Sequence, residues 1–277
     1  MFYSPHNIQE LLPLLQKADP NLRVIAGGTD LIIHLHNRHD FDADFLNVMA
    51  VEEFKGIAET DQEIWIGAVV TMTELCESAL VKDQLTALYY AAYHLGSEQI
   101  RNRATLGGAI ANASQSSDPS DVLFAYHAEV EIMDARGEKK LVPMESFITG
   151  REKTCLVPGE VVTRIRIPKR NRKSMFGKIG ARKAVTIAKI NCAVDYEDIN
   201  GTMHDVRVYL GAVGIKPVEA RGIEALLEGR KPAEVPLEEL QRAGWDEVEK
   251  AIPTRPSRFY KRVAVEGLLE DVIGALQ

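Results

Sequence analysis

Two pairs of adjacent glycines, each beside a threonine, constrain this chain more than any other feature. The first stands in Val24-Ile25-Ala26-Gly27-Gly28-Thr29-Asp30-Leu31. The second stands in Thr105-Leu106-Gly107-Gly108, within a polar run from Gln99 to Asp118. In the first, a short apolar strand over residues 23–26 ends at Gly27-Gly28. Thr29 or Asp30 then caps a helix over residues 31–37. That order presents backbone N–H groups and the positive end of a helix dipole to an anion. In the second, paired glycines let the backbone approach a ligand closely. Thr105, Asn112, Ser114, Ser116 and Ser117 offer hydrogen bonds to phosphate and ribose oxygens, and Asp118 suits sugar hydroxyls. We expect the two turns to face each other and hold one long, phosphate-bearing cofactor. Neither turn is GxGxxG, and no Gly-Lys-Ser/Thr follows to make a P-loop. Each alone also fits an ordinary structural turn.

Around these turns the apolar pattern divides the chain. A helix is predicted over residues 8–18, from the stripe Ile8, Leu11, Leu12, Leu14 and Leu15, with Asn7 as its cap and Pro20 beyond its end. Residues 45–48 and 63–68 read as strands, and a short helix starts at Thr71 or Thr73 and runs through Cys76. A longer helix is predicted over residues 83–95, stopped by Gly96. Residues 129–134 and 139–142 form a hairpin, and residues 161–168 a strand. The run Lys169-Arg170-Asn171-Arg172-Lys173 then reads as a solvated connection between domains or a docking patch for an acidic partner. Beyond it the pattern changes. Residues 175–182, 187–196 and 203–213 are long antiparallel strands, with Asn200-Gly201 a hairpin turn between the last two. Helices follow over residues 218–227, 237–250 and 256–275, so the C-terminal part is a separate α+β layer. The domains expected are residues 1–170 and 174–277.

Several function classes are disfavoured. The net charge of −7 argues against a nucleic-acid surface. No apolar run reaches membrane-spanning length, and the N-terminus lacks the basic and apolar regions of a signal peptide. The three cysteines, Cys76, Cys155 and Cys192, form no CxxC pair and suit a reduced, cytoplasmic protein. His34, His36 and His39 lie close together, but only His36 and His39 share a helix face, with Asp40 and Asp42 just beyond. No tetrahedral set is complete, and no metal site is expected. No motif identifies a catalytic residue.

The two glycine motifs resemble those of the FAD-binding subunits of the xanthine dehydrogenase and carbon monoxide dehydrogenase family. These are the medium-sized flavoprotein components of molybdenum hydroxylases. The resemblance also takes in Gln99-Ile100-Arg101-Asn102, the run from Ile110 to Asp118, residues 160–168 and the segment from Lys178 to Arg182. It implies an α+β chain. A two-part FAD-binding domain of the vanillyl-alcohol oxidase and p-cresol methylhydroxylase type comes first, and a three-stranded antiparallel sheet with helices follows. It places Ala26, Gly27, Gly28, Thr29, Asp30 and Leu31 at one side of the FAD diphosphate and Thr105, Gly107 and Gly108 at the other, with Asn112 and Ser114 nearby. It puts Asp118 at the adenosine ribose, Val162 at the isoalloxazine ring and Lys178 at the ring's edge, where a cation favours reduced flavin. In the family, Ala109 is commonly asparagine and Glu98 commonly proline. The resemblance further implies a molybdopterin-bearing large subunit and a small subunit with 2Fe-2S clusters as partners. Electrons would leave FAD for NAD or another acceptor. A self-contained FAD-dependent oxidoreductase and a non-catalytic nucleotide-binding protein are the alternatives.

Overall fold

Leu11 and Leu15 recur at helical spacing and are fully buried, so the first helix forms by laying them on a small core with Leu46, Val48, Val51 and Phe54. The computed structural model describes residues 1–17, 21–39, 42–169 and 171–277. Within them the chain divides into two compact units. The first comprises Met1–Glu74, Glu98–Ala113 and His127–Lys169. The second comprises Leu75–Ser97, Ser114–Tyr126 and Arg170–Gln277. Two stretches of the N-terminal half therefore belong to the second unit.

The first unit holds a small parallel sheet in which β3 (Asp44–Asn47) lies between β1 (Phe2–Tyr3) and β2 (Leu22–Ile25). The first helix, Ile8–Gln16, follows β1, and Asn7 caps it by accepting from the Glu10 N–H at 2.9 Å. Ala18 and Pro20, at the end expected for that helix, lie outside the described residues. A second, antiparallel sheet has the order β4-β5-β10-β6-β7. Its strands are β4 (Ile57–Glu59), β5 (Glu63–Gly67), β6 (Glu129–Met133), β7 (Lys139–Pro143) and β10 (Val161–Pro168); β8 (Ile148–Gly150) and β9 (Lys153–Thr154) pair separately. The β6–β7 turn is held by Asp134, whose Oδ1 accepts from the N–H groups of Arg136 and Glu138.

The second unit is built on β11 (Arg172–Gly180), β12 (Ala188–Ile199) and β13 (Thr202–Gly211), all antiparallel. Asn200 and Gly201 have φ of 56° and 80°, the left-handed pair that a tight hairpin needs. Three helices, Arg221–Leu227, Leu237–Ala251 and Arg258–Gly274, bury Ile223, Leu240, Val248, Val265 and Leu269 in a core with Ile190, Val194 and Val208 of the sheet.

Three expectations change. The sheet has a fourth strand, β14 (Val218–Glu219), where the sequence reads as helix, because residues 218–219 pair with Tyr209 and Leu210 of β13. The helix therefore starts at Arg221. The single helix expected over residues 83–95 is two, Ala79–Gln84 and Thr86–Tyr93, broken at Leu85, whose φ of −127° and ψ of 50° are not helical. The basic run is not simply solvated: the buried Arg172 side chain bridges Asp195 and Asp205, and Lys173 pairs with Asp198. Arg170 lies outside the described residues.

Candidate functional site

The first glycine turn is shaped by two separate demands. Gly28 has φ of 74°, which an L side chain resists. Gly27 has an ordinary φ, but a Cβ there would lie 1.8 Å from the Arg103 carbonyl oxygen. Gly27 thus packs the first turn against the segment that leads into Thr105. The helix Leu31–Arg38 starts just beyond. Asp30 occupies its N-cap position but makes no side-chain cap hydrogen bond. The Ile32 N–H in that first turn donates to the Gly28 carbonyl oxygen at 3.1 Å, so what the turn offers an anion is the positive end of the helix rather than a full set of free N–H groups. Ala26, Gly27, Gly28, Thr29 and Leu31 are all half-buried, at the edge between core and solvent.

The second turn departs from expectation. It is not a loop: Leu106–Asn112 is a helix, and Thr105 caps it by accepting from the Gly108 N–H at 3.1 Å. Thr105 is buried, so its hydroxyl and the Gly108 N–H, both expected to meet phosphate, are joined to each other. Gly107 is also buried. A Cβ on it would lie 2.7 Å from both the Cβ and the carbonyl oxygen of Ala68, so its missing side chain serves packing. A larger residue at 107 therefore disturbs the fold itself, and only position 108 is exposed. Asn112 ends the helix half-buried, and Ser114 Oγ accepts from the Ser116 N–H at 3.3 Å. Val162 is buried on β10, paired with Ile132 of β6, next to a register shift that falls before Arg164.

The second unit contributes a cluster of polar side chains inside its core. Asp118 begins the helix Asp118–Ala125 and is 4% exposed. Its Oδ2 accepts from Lys178 Nζ on β11 at 2.5 Å, and its Oδ1 accepts from Asn191 Nδ2 on β12 at 2.8 Å. Lys178 Nζ also donates to the Thr186 carbonyl oxygen at 3.3 Å. Burial pushes the Asp118 carboxyl above its usual range, against the opposing pull of Lys178 and Asn191. Asp121, one turn further along the helix, is 1% exposed, and its Oδ2 has no hydrogen-bond partner.

The expected residues thus fall into two groups. Ala26 to Leu31, Thr105, Gly107, Gly108, Asn112 and Val162 lie in the first unit, and Ser114, Asp118 and Lys178 in the second. Asp118 and Lys178, expected at the adenosine ribose and at the isoalloxazine edge, are bonded to each other. Sequence reading missed Asn191 and Asp121. The signals were present: Asn191 is a lone amide between Ile190 and Cys192 in an apolar strand, and Asp121 is one helical turn from Asp118.

Among the described residues, no group of three or more His, Cys, Asp or Glu could hold a metal ion. No helix among them is long and apolar enough to cross a membrane.

The family model for the FAD binding domain in molybdopterin dehydrogenase matches residues 1–170, and that for the CO dehydrogenase flavoprotein C-terminal domain matches residues 176–276. A putative xanthine dehydrogenase FAD-binding subunit of Escherichia coli is 29% identical over 259 residues, 92% of this chain and 88% of that protein. The nicotinate dehydrogenase FAD-subunit of Eubacterium barkeri is 28% identical over 279 residues, 98% of this chain and 94% of the relative. Among solved structures, carbon monoxide dehydrogenase from Hydrogenophaga pseudoflava is similar with a TM-score of 0.87 at 25% identity, covering 99% of this chain and 96% of that one.

Proposed function

The chain belongs to the family of FAD-binding subunits of molybdopterin dehydrogenases, and from that premise we propose that it is the electron-transfer subunit of a molybdenum hydroxylase. Residues 1–170 are its FAD-binding domain and residues 174–277 its C-terminal flavoprotein domain. When bound, FAD supplies the redox chemistry between 2Fe-2S clusters on a small subunit and NAD or another acceptor. A large subunit carries the molybdenum cofactor and oxidises the substrate.

The observation that carries this reading is the first glycine turn. Gly27 leaves room for the Arg103 carbonyl, Gly28 supplies the positive φ, and the uncapped helix Leu31–Arg38 opens toward an anion. Thr29 and Asp30 would hold the diphosphate through backbone N–H groups. Gly108, exposed at the start of the second helix, would lie at its other side. In the second unit we assign Asp118 and Lys178 jointly to the flavin end, Asp118 holding the ammonium in place. A fixed cation there favours whichever redox form of the ring carries more negative charge.

Purified chain incubated with FAD is expected to show bound-flavin absorbance, and native pull-down to recover two further subunits. A chain that takes up no flavin sinks the reading. Flavin uptake without partner subunits would instead favour a self-contained flavoenzyme. Lys178→Met keeps the stem and removes the charge, so the flavin midpoint potential should fall. A loss of ~1.4 kcal/mol in differential stabilisation corresponds to about 30 mV for a two-electron couple. An unchanged midpoint at full FAD occupancy would remove Lys178 from the ring's edge.

A further inference from the structure

Asp121 and Asn191 hide an unsolved polar contact. Both side chains are buried, and Asp121 Oδ2 and Asn191 Oδ1 each lack a hydrogen-bond partner. The two oxygens converge on one point: a Cβ on Gly211 would lie 1.9 Å from the first and 2.0 Å from the second. Two buried acceptors facing each other repel, and an unmade buried hydrogen bond costs on the order of 1–3 kcal/mol. Asn191 cannot relieve this by turning its amide over. Its Nδ2 donates to Asp118 Oδ1 at 2.8 Å, and the reversed amide would set an oxygen against that carboxylate. Among the described residues no cation offsets the charge of Asp121. Burial and the negative charge of Asp118 both push its carboxyl well above the usual range. The adjacent Cys192 thiol is itself pushed up by burial.

We propose that Asp121 is a neutral carboxylic acid that donates its Oδ2 proton to Asn191 Oδ1, and that it thereby acts as a positioning residue for the flavin site. One proton satisfies both orphan oxygens. It fixes the Asn191 amide with Nδ2 on Asp118, and Asp118 Oδ2 then accepts from Lys178 Nζ at 2.5 Å. The donors run in series from Asp121 through Asn191 to Asp118, and Lys178 closes the series from the other side. An ionised Asp121 would instead place a second negative charge one helical turn from Asp118, where it would compete for Lys178. Only the last link rests on the reading that Lys178 stands at the flavin. The proton on Asp121 is a property of the chain itself.

Infrared difference spectra of the FAD-free chain test the proton. At neutral pH, parent minus Asp121→Asn should show the carbonyl stretch of a protonated carboxyl. A difference spectrum without that band, as an ionised Asp121 bridged by water would give, overturns the proposal. Flavin midpoints of the FAD-loaded protein test the positioning. Asp121→Leu should shift the midpoint in the same direction as Lys178→Met. Asp121→Asn, which replaces the O–H donor by an N–H donor, should restore the parental value. If Lys178→Met shifts the midpoint and Asp121→Leu does not, the positioning role fails while the flavin reading stands. If Lys178→Met shifts nothing, the flavin reading and the last link fail together, and the infrared band alone decides the proton. The infrared measurement needs only the parent and the near-isosteric asparagine, so it stands even where the leucine variant does not fold.

Discussion

In the first unit the buried carboxylate of Glu131 accepts from Thr163 Oγ1 at 2.6 Å and from Arg164 Nε and Nη2 at 3.1 and 2.9 Å. In the second unit Asp121, buried more deeply still, faces an unpartnered oxygen of Asn191 over Gly211. Burial alone would raise both acids, yet the donors around Glu131 bring it down to about 2, while Asp121 is driven well above the usual range. Burial sets the cost of a charge, and the supply of donors decides whether the group keeps that charge. The first unit spends its donors on holding a sheet together. The second directs the one cation of its polar cluster, Lys178, to Asp118.

The contrast can be broken most forcefully at glycine. Gly27→Ala and Gly211→Ala should each destabilise their unit by about 3 kcal/mol or more, the upper range for overpacking a closed site, as read by urea denaturation. Gly27→Ala should be the worse, because its Cβ meets a backbone carbonyl, whereas at Gly211 it meets side-chain oxygens. A neutral Gly211→Ala would mean that the oxygens of Asp121 and Asn191 do not converge there.

A smaller effect separates the acids directly. Glu131→Gln removes the charge that Arg164 and Lys139 meet and should cost about 1–3 kcal/mol. Asp121→Asn should instead stabilise the fold at neutral pH, because the parent must take up a proton on folding that asparagine does not need. Equal losses at the two positions would erase the distinction.

The smallest effect is on the pH dependence, and its sign differs between the acids. Glu131 has a lowered value when folded, so it stabilises above its ordinary value of 4.5, and this is lost as pH falls toward about 2. Asp121 has a raised value, so the folded state holds a proton that the unfolded state has released. Stability therefore declines as pH rises above its ordinary value of 3.8 toward the raised one. Glu131→Gln should flatten the acid limb of a stability–pH curve and Asp121→Asn the limb above it, each by at most ~1.4 kcal/mol per pH unit.

Much of the fold was legible because it is written in local periodicity. The stripe of Leu11 and Leu15, the alternation along β10 and the Asn200-Gly201 turn each specify an element without reference to distant residues. β14 was not legible, since Val218 and Glu219 become a strand only through Tyr209 and Leu210 on β13. The glycine turns were legible as positions but not as causes. Gly28 answers to its own φ, whereas Gly27 and Gly107 answer to Arg103 and Ala68, which no spacing rule connects to them. The same holds for Asp118 and Lys178. Each was marked by its surroundings in sequence, but their bond to each other, and through Asn191 to Asp121, exists only in three dimensions.

The interleaving of the two units sets an order on the ribosome. The helix Asp118–Ala125 belongs with β12 and β13, yet it emerges long before Thr202–Gly211 is made. At ordinary translation speeds the chain beyond Tyr126 takes on the order of ten seconds to synthesise. Through that interval Leu123 and Phe124, fully covered in the finished protein, have no sheet to rest on. A nascent chain with an apolar helix waiting for its strands shows, for that time, the kind of surface that chaperones bind.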